Sequence, residues 1–212
     1  MKLRFSALFL PAALAFGVFA SPAHAMPAAD PAALINQLVS QAIGIITDKQ
    51  ESEQDRQAKF RDLLQSGFDI PRISRFVLGR YWNAASDEQR QQFSRLFEDW
   101  VVDTYSARFN DYSGETIKVT GTQAESNPAF TDVASQFISP NGAPPAKVTW
   151  VVLKSGDNDY RVVDVSVEGV SMALTQRDEI AAVADRSGGT VDGLNQALQQ
   201  KISGSESESA GK

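Results

Sequence analysis

Two residues in the second half of the chain have the type and setting for chemistry. Asp164 is the acid within the apolar run VVDVSV (residues 162–167), and Ser171 sits in GVSMA (residues 169–173). A carboxyl among valines has its pKa raised by burial, towards the range of a general base such as an isomerase with an apolar pocket would use. The alternative is that Asp164 faces solvent or caps a neighbouring loop. Ser171 has the outline of a nucleophile elbow, but a serine needs a base beside it. The chain holds one histidine, His24, and no cysteine. His24 lies in a segment read below as a cleaved leader, so the mature chain has neither imidazole nor thiol. That excludes His-based triads, cysteine nucleophiles, most zinc and copper sites, and haem ligation by His or Cys. No catalytic residue, metal ligand or cofactor is assigned, and the expectation is a protein that is not an enzyme.

Residues 1–25 have the form of a secretory signal peptide. Lys2 and Arg4 give a positive start, residues 8–20 are apolar but too short to span a bilayer, and Ala23 and Ala25 supply an A-x-A cleavage site. Cleavage without a cysteine at the junction gives a soluble product, not a lipid-anchored one, and the periplasm is the expected location. Loss of Lys2 and Arg4 takes the formal charge from −6 to about −8. Such a chain is unsuited to general nucleic-acid binding, which rests on neutralising phosphates. With no disulfide available, stability must come from packing. The remainder divides into one domain over residues 26–203 and a polar, disordered tail over residues 204–212.

The elements that must position any site follow from capping and periodicity. Asp30-Pro31 opens a helix running to about Thr47, and Ser52-x-x-Asp55 a second ending at Gly67; Ile70-Pro71 begins a short third that Gly79 stops. Ser86 with Gln89 forms a capping box for a long helix carrying Phe93, Leu96, Phe97, Trp100, Val101 and Tyr105. These positions cover about half the helix circumference, so one flank has a core and the other has something else to face. After Gly114 the period becomes two: strands are expected over residues 115–121, 130–138, 147–154 and 160–170, with helices returning at 175–186 and 191–202. Helices, then an antiparallel sheet, then helices read as α+β.

Four segments occur together: FDIPRISRFVLGRYW (residues 68–82), YSGE (112–115), VVDVSVEGVSM (162–172) and GGTVDGL (188–194). In this order and spacing the chain resembles the MlaC, or toluene-tolerance auxiliary-component, family, from about Asp30 to Ile202. A sister group associated with hopanoid biosynthesis shares much of the pattern, notably around residues 104–115; the EGVSM segment favours the phospholipid branch. The resemblance implies an NTF2-like cone, a curved antiparallel sheet packed by helices, with an apolar lipid cavity in a single domain. It implies a periplasmic phospholipid carrier of an ABC-type transport system. Its partners would be an inner-membrane MCE-domain protein and an outer-membrane lipoprotein–porin complex, with the carrier itself a monomer and phospholipid its ligand.

Nine aromatic residues lie between Phe76 and Tyr112, a dense apolar surface on one helix and its lead-in. From these and from the alternating strand the expected lipid-binding residues are Phe76, Tyr81, Trp82, Phe97, Val101, Tyr105, Val148, Trp150 and Val152. Arg80 and Arg90 belong to a local excess of arginine (Arg72, Arg75, Arg80, Arg90, Arg95 against Asp87 and Glu88). They are expected to flank the pocket mouth and to dock a partner.

Overall fold

A computed structural model describes residues 26–209; the expected leader lies outside the described residues. Six helices and five strands follow in order: α1 Pro31–Thr47, α2 Glu53–Gly67, α3 Ile70–Leu78, α4 Asp87–Ser106, β1 Thr116–Ala124, β2 Phe130–Ile138, β3 Ala146–Gly156, β4 Asp159–Val167, β5 Val170–Ser171, α5 Met172–Arg186 and α6 Val191–Ser209. The first five helices each begin on a side chain that accepts a free N–H of the first turn: Asp30, Ser52, Asp69, Ser86 and Ser171. At Ser86 the box is reciprocal, with the Gln89 side chain accepting the Ser86 N–H at 2.8 Å. Gly79 ends α3 at φ 56°, where a Cβ would stand 3.0 Å from Arg177 Nε.

The strands form one antiparallel sheet in the order β1-β2-β3-β4-β5, each paired with its neighbour in sequence. Two departures from the expected strands have local causes. Glu168 and Gly169 both take positive φ (50° and 82°), the pairing a type I′ turn needs. The expected strand 160–170 therefore folds back into a hairpin, Val167 opposite Val170. Ser171 then caps α5 at once, three residues ahead of the expected start at Thr175. In β4, Trp150 pairs with Val165, Val151 with Asp164 and Val152 with Val162, so Val163 is a bulge without a partner. At the C-terminus α6 runs to Ser209, into the tail expected to be disordered, because extending a formed helix costs little per residue.

The helices give the chain two cores. Val77, Leu78, Phe93, Leu96, Phe97, Trp100, Ile180 and Leu194 pack α3, α4, α5 and α6 together. Leu34, Ile35, Leu38 and Leu63 of α1 and α2 pack on Val133, Val152 and Val162 of the sheet. A smaller cluster of Leu64, Ile70 and Val102 joins them. The Asp69 N–H reaches the Val162 carbonyl at 3.0 Å and ties the start of α3 to β4. This is the α+β, NTF2-like arrangement in one domain.

Candidate functional site

Between the two cores lies a cavity of about 490 Å³. It exists because neither core fills the seam. The C-terminal half of α4 crosses from one to the other, and the start of α3, the start of α5 and the second half of α1 approach it without closing over it. On α4, Phe93, Leu96 and Trp100 turn into the first core; Phe97 belongs to that core and also borders the cavity, which Val101 and Tyr105 border too at successive four-residue steps. That is the division of the helix surface its wide apolar face called for. Opposite stand Trp150, Val163 and Val165 of the sheet, with Ala42, Ile43 and Ile46 of α1 along one side. Nearly all of this wall is carbon.

Gln176 borders the cavity with its Oε1 buried and without a hydrogen-bond partner, whereas other polar groups in and behind the wall are engaged. The buried Ser135 hydroxyl accepts the Trp150 indole N–H at 2.9 Å and donates to the Val148 carbonyl at 3.1 Å, so the indole lies on the floor with its donor satisfied. Tyr112 donates to the Glu115 carbonyl at 3.1 Å. The Glu115 carboxylate takes the Ser113 N–H and hydroxyl, both at 2.8 Å, and these bonds hold its pKa below the ordinary value.

Asp164 also borders the cavity, but its oxygens are spent. They accept the Val165 N–H (2.8 Å), the Ala173 N–H (3.0 Å) and the Ser171 hydroxyl (2.6 Å), while Ser171 accepts the Leu174 N–H (3.1 Å). The pair forms a clasp between β4 and the start of α5, the capping alternative for Asp164 and a structural use of Ser171. Asp164→Ala should therefore lower the melting temperature by about 5 °C, from the loss of a cap and charge-assisted bonds worth about 2 kcal/mol. Lipid content should change little. An unchanged melting curve would show that the clasp carries no load.

Of the residues expected to bind lipid, Phe97, Val101, Tyr105 and Trp150 border the cavity. Val148, Trp150 and Val152 share the inner face of β3 as their alternation requires, yet at different depths. Val148 is buried beside Ser135 and Val152 is sealed in the second core, 1% exposed. Phe76, Tyr81 and Trp82 do not border the cavity, although Tyr81 and Trp82 pack against the first core, which Phe97 and Val101 also touch. Phe76 lies under Arg177, 5.2 Å from its ring centre; Tyr81 donates to Asp185 at 2.6 Å; Trp82 is held between Arg75 and Arg90 at 5.9 and 5.3 Å. Each ring meets a guanidinium or a carboxylate, which makes it part of the outer surface of the first core.

The same geometry corrects the placing of Arg80 and Arg90. The cavity meets α3 at its beginning and α4 towards its end, whereas these arginines follow α3 and begin α4. Neither flanks the mouth. Arg80 pairs with Asp185, and Arg90 pairs with Asp87 at 2.9 Å and donates to the Trp82 carbonyl at 2.9 Å, pinning the connection between the helices. The hydrogen bond from the Tyr81 hydroxyl, with Arg80 adding to it, holds the Asp185 carboxyl below its ordinary pKa.

Sequence reasoning missed the contribution of α1. Its apolar stripe was legible, but nothing in it separates Leu34 and Ile35, which are fully buried, from Ile43 and Ile46, which face a void. A second hollow of about 570 Å³ lies between α1 and α2, where Asp48, Glu51, Lys59 and Asp62 stand beside Ile45 and Leu63, so its wall is far more polar than that of the cavity.

Tyr105 reports on the cavity directly. The residue keeps 40% of its surface exposed, yet partial desolvation where it borders the cavity raises its phenol pKa above the ordinary value, with Arg108 opposing and Glu179 adding to the shift. A raised folded-state pKa means that stability is intact below the unfolded value of about 10 and falls as pH rises through it. An apolar ligand against the ring would desolvate it further. The difference titration of wild type and Tyr105→Phe should move to higher pH when the protein is loaded with lipid; the same titration in both states would separate Tyr105 from the ligand.

Comparisons with known proteins agree with this geometry. The phospholipid-binding protein of Ralstonia solanacearum, solved in complex with a phospholipid, superposes with a TM-score of 0.71 at 24% identity, covering 84% of this chain and 99% of that one. The intermembrane phospholipid transport system binding protein MlaC of Haemophilus influenzae is 25% identical over 128 residues, which span 60% of this chain and 59% of the relative's length. The family model for the MlaC protein matches residues 36–200, from within α1 to within α6, taking in the cavity and most of both cores. The chain belongs to the MlaC family.

Proposed function

We propose that this protein is a soluble periplasmic carrier that encloses the acyl chains of a phospholipid in the cavity between its two cores. The observation that carries the reading is a wall almost entirely of carbon whose principal acid, Asp164, is consumed by the α5 cap. Each buried CH₂ is worth about 0.8 kcal/mol. Leaving four exposed would cost about 3 kcal/mol, roughly 200-fold in affinity, so a carrier must cover most of its cargo. The relatives support the ligand: one is named for intermembrane phospholipid transport, and another was solved with a phospholipid.

Bilayer and cavity are both apolar, so exchange between them is near neutral and direction must come from elsewhere. The carrier binds no nucleotide in this reading. It accepts lipid from, and delivers it to, membrane partners: an inner-membrane MCE-domain protein of an ABC transporter and an outer-membrane lipoprotein–porin complex. No helix among the described residues is long and apolar enough to cross a membrane.

Organic extraction of protein purified without detergent, followed by mass analysis, tests the reading. Co-purified phospholipid is the expected result. A hopanoid in its place would move the protein to the sister branch, and no lipid at all would overturn the carrier.

A further inference from the structure

Residues 26–28, ahead of α1, are a built part of the fold. Met26 and Ala28 are buried and Pro27 between them is exposed, the alternation of a strand. Both buried side chains belong to the second core, and Pro27 makes an antiparallel bridge to Asp159 at the start of β4. The Gln41 side-chain amide of α1 reaches the Met26 sulfur at 3.7 Å. Residue 26 is also the position directly after the expected cleavage site.

The Met26 nitrogen meets the end of α2. A helix leaves carbonyls of its last turn without partners, and they carry the negative end of its dipole. α2 has no basic residue in its own last turn. The Phe68 N–H continues the ladder onto the Leu64 carbonyl at 2.9 Å, but Gln65 and Ser66 turn to groups from outside the helix. The Arg161 guanidinium of β4 donates to the Gln65 carbonyl at 2.8 Å, and the Met26 N–H donates to the Ser66 carbonyl at 3.1 Å. In the leader-bearing chain the Met26 nitrogen is a neutral amide. Cleavage after Ala25 turns the same atom into an α-ammonium.

The surrounding charges favour that change. Arg161 pairs with Asp159 on β4, and Lys59 pairs with Glu51 beside the hollow between α1 and α2. With those two pairs cancelling, Asp62, which borders the hollow together with Ser66, and Asp48 at its α1 side remain. We propose that Met26 is the first residue of the mature chain and that its α-ammonium caps the C-terminus of α2, a charge the fold acquires only when the leader is removed. The proposal rests on the export read above and is independent of the cargo.

The intact mass of protein from the periplasmic fraction identifies the first residue; a chain beginning anywhere but Met26 would overturn the leader reading and this proposal together. In protein that begins at Met26, a pulse of acetic anhydride at about pH 7 should acetylate the α-amine more slowly than in the free peptide of residues 26–32, by about tenfold or more. An amine held on a carbonyl at a helix end is covered and stays protonated.

A second form is exported behind a leader whose removal leaves Gly-Ser-Gly-Ser ahead of Met26, which keeps the N–H and moves the charge away. At about pH 6 the mature chain should melt roughly 3 °C above this form. The cap raises the folded-state pKa of the amine above the unfolded value of about 8. Its contribution is therefore complete below that value and lost as pH rises through the folded one. By about pH 10.5 the two forms should melt together; Tyr105 titrates in both and cancels. Equal acetylation of protein and peptide would overturn the proposal. So would equal melting at the lower pH, or a difference undiminished at the higher, which would mean that the added residues clash and no charge is at work.

Discussion

Ile43→Asp and Val101→Asp should both yield folded proteins that retain no more than about a tenth of the wild-type lipid, because an unpaired carboxylate in an acyl cavity costs several kcal/mol. Both side chains border the cavity from different helices. They differ in what else they do. Val101 also packs against both neighbouring clusters, so its replacement should lower the melting temperature as well. Ile43 belongs to none of the clusters and is only half-buried, which makes it the cleaner probe. The introduced carboxyl should titrate above its ordinary value of about 3.9, since lipid favours its neutral form. Lipid retention should thus recover as pH falls towards 4. Phosphate per protein, measured across that range, checks both parts; wild-type lipid content in Ile43→Asp at pH 7 would remove α1 from the site.

Val152→Asp should have a different and larger effect: loss of the folded protein. Val152 sits one residue pair from Trp150 on the same face of β3, yet it is sealed among Leu34, Leu38, Val133 and Val162. At 1% exposure within an apolar cluster, a charge there would be cut off from bulk solvent. The penalty of several kcal/mol is set against a total stability of about 5–15 kcal/mol for a domain. The expected result is insoluble protein or a melting transition displaced below room temperature, and wild-type melting would refute the assignment of Val152 to the core. Side by side, the aspartates at 43 and 152 would show where cavity ends and core begins.

Legibility in the sequence follows how local each determinant is. The helix starts could be read because a cap is settled within four residues: Asp30, Ser52 and Ser86 each need only their own first turn. Strand faces could be read because alternation is intrinsic to the strand, and Val148, Trp150 and Val152 do share a face. Depth along that face is a property of what α1 and α2 cover, which no residue in β3 encodes. The bulge at Val163 was hidden for a similar reason: one extra residue in β4 is visible only against its partner strand. Phe76, Tyr81 and Trp82 were misplaced because aromatic density records apolar surface without recording what it meets. Here it met Arg177, Asp185, Arg75 and Arg90.

The three tryptophans make the protein its own optical reporter. Trp82 lies against the Arg75 and Arg90 guanidinium groups and Trp100 against Lys201 within the first core, and neither borders the cavity. Trp150 alone of the three borders the cavity, and its N–H is already bound to Ser135. A ligand entering the cavity replaces water at the face of one indole while the other two keep their surroundings. Any shift in intrinsic emission on loading is therefore the signal of a single chromophore, and occupancy can be followed in unlabelled protein.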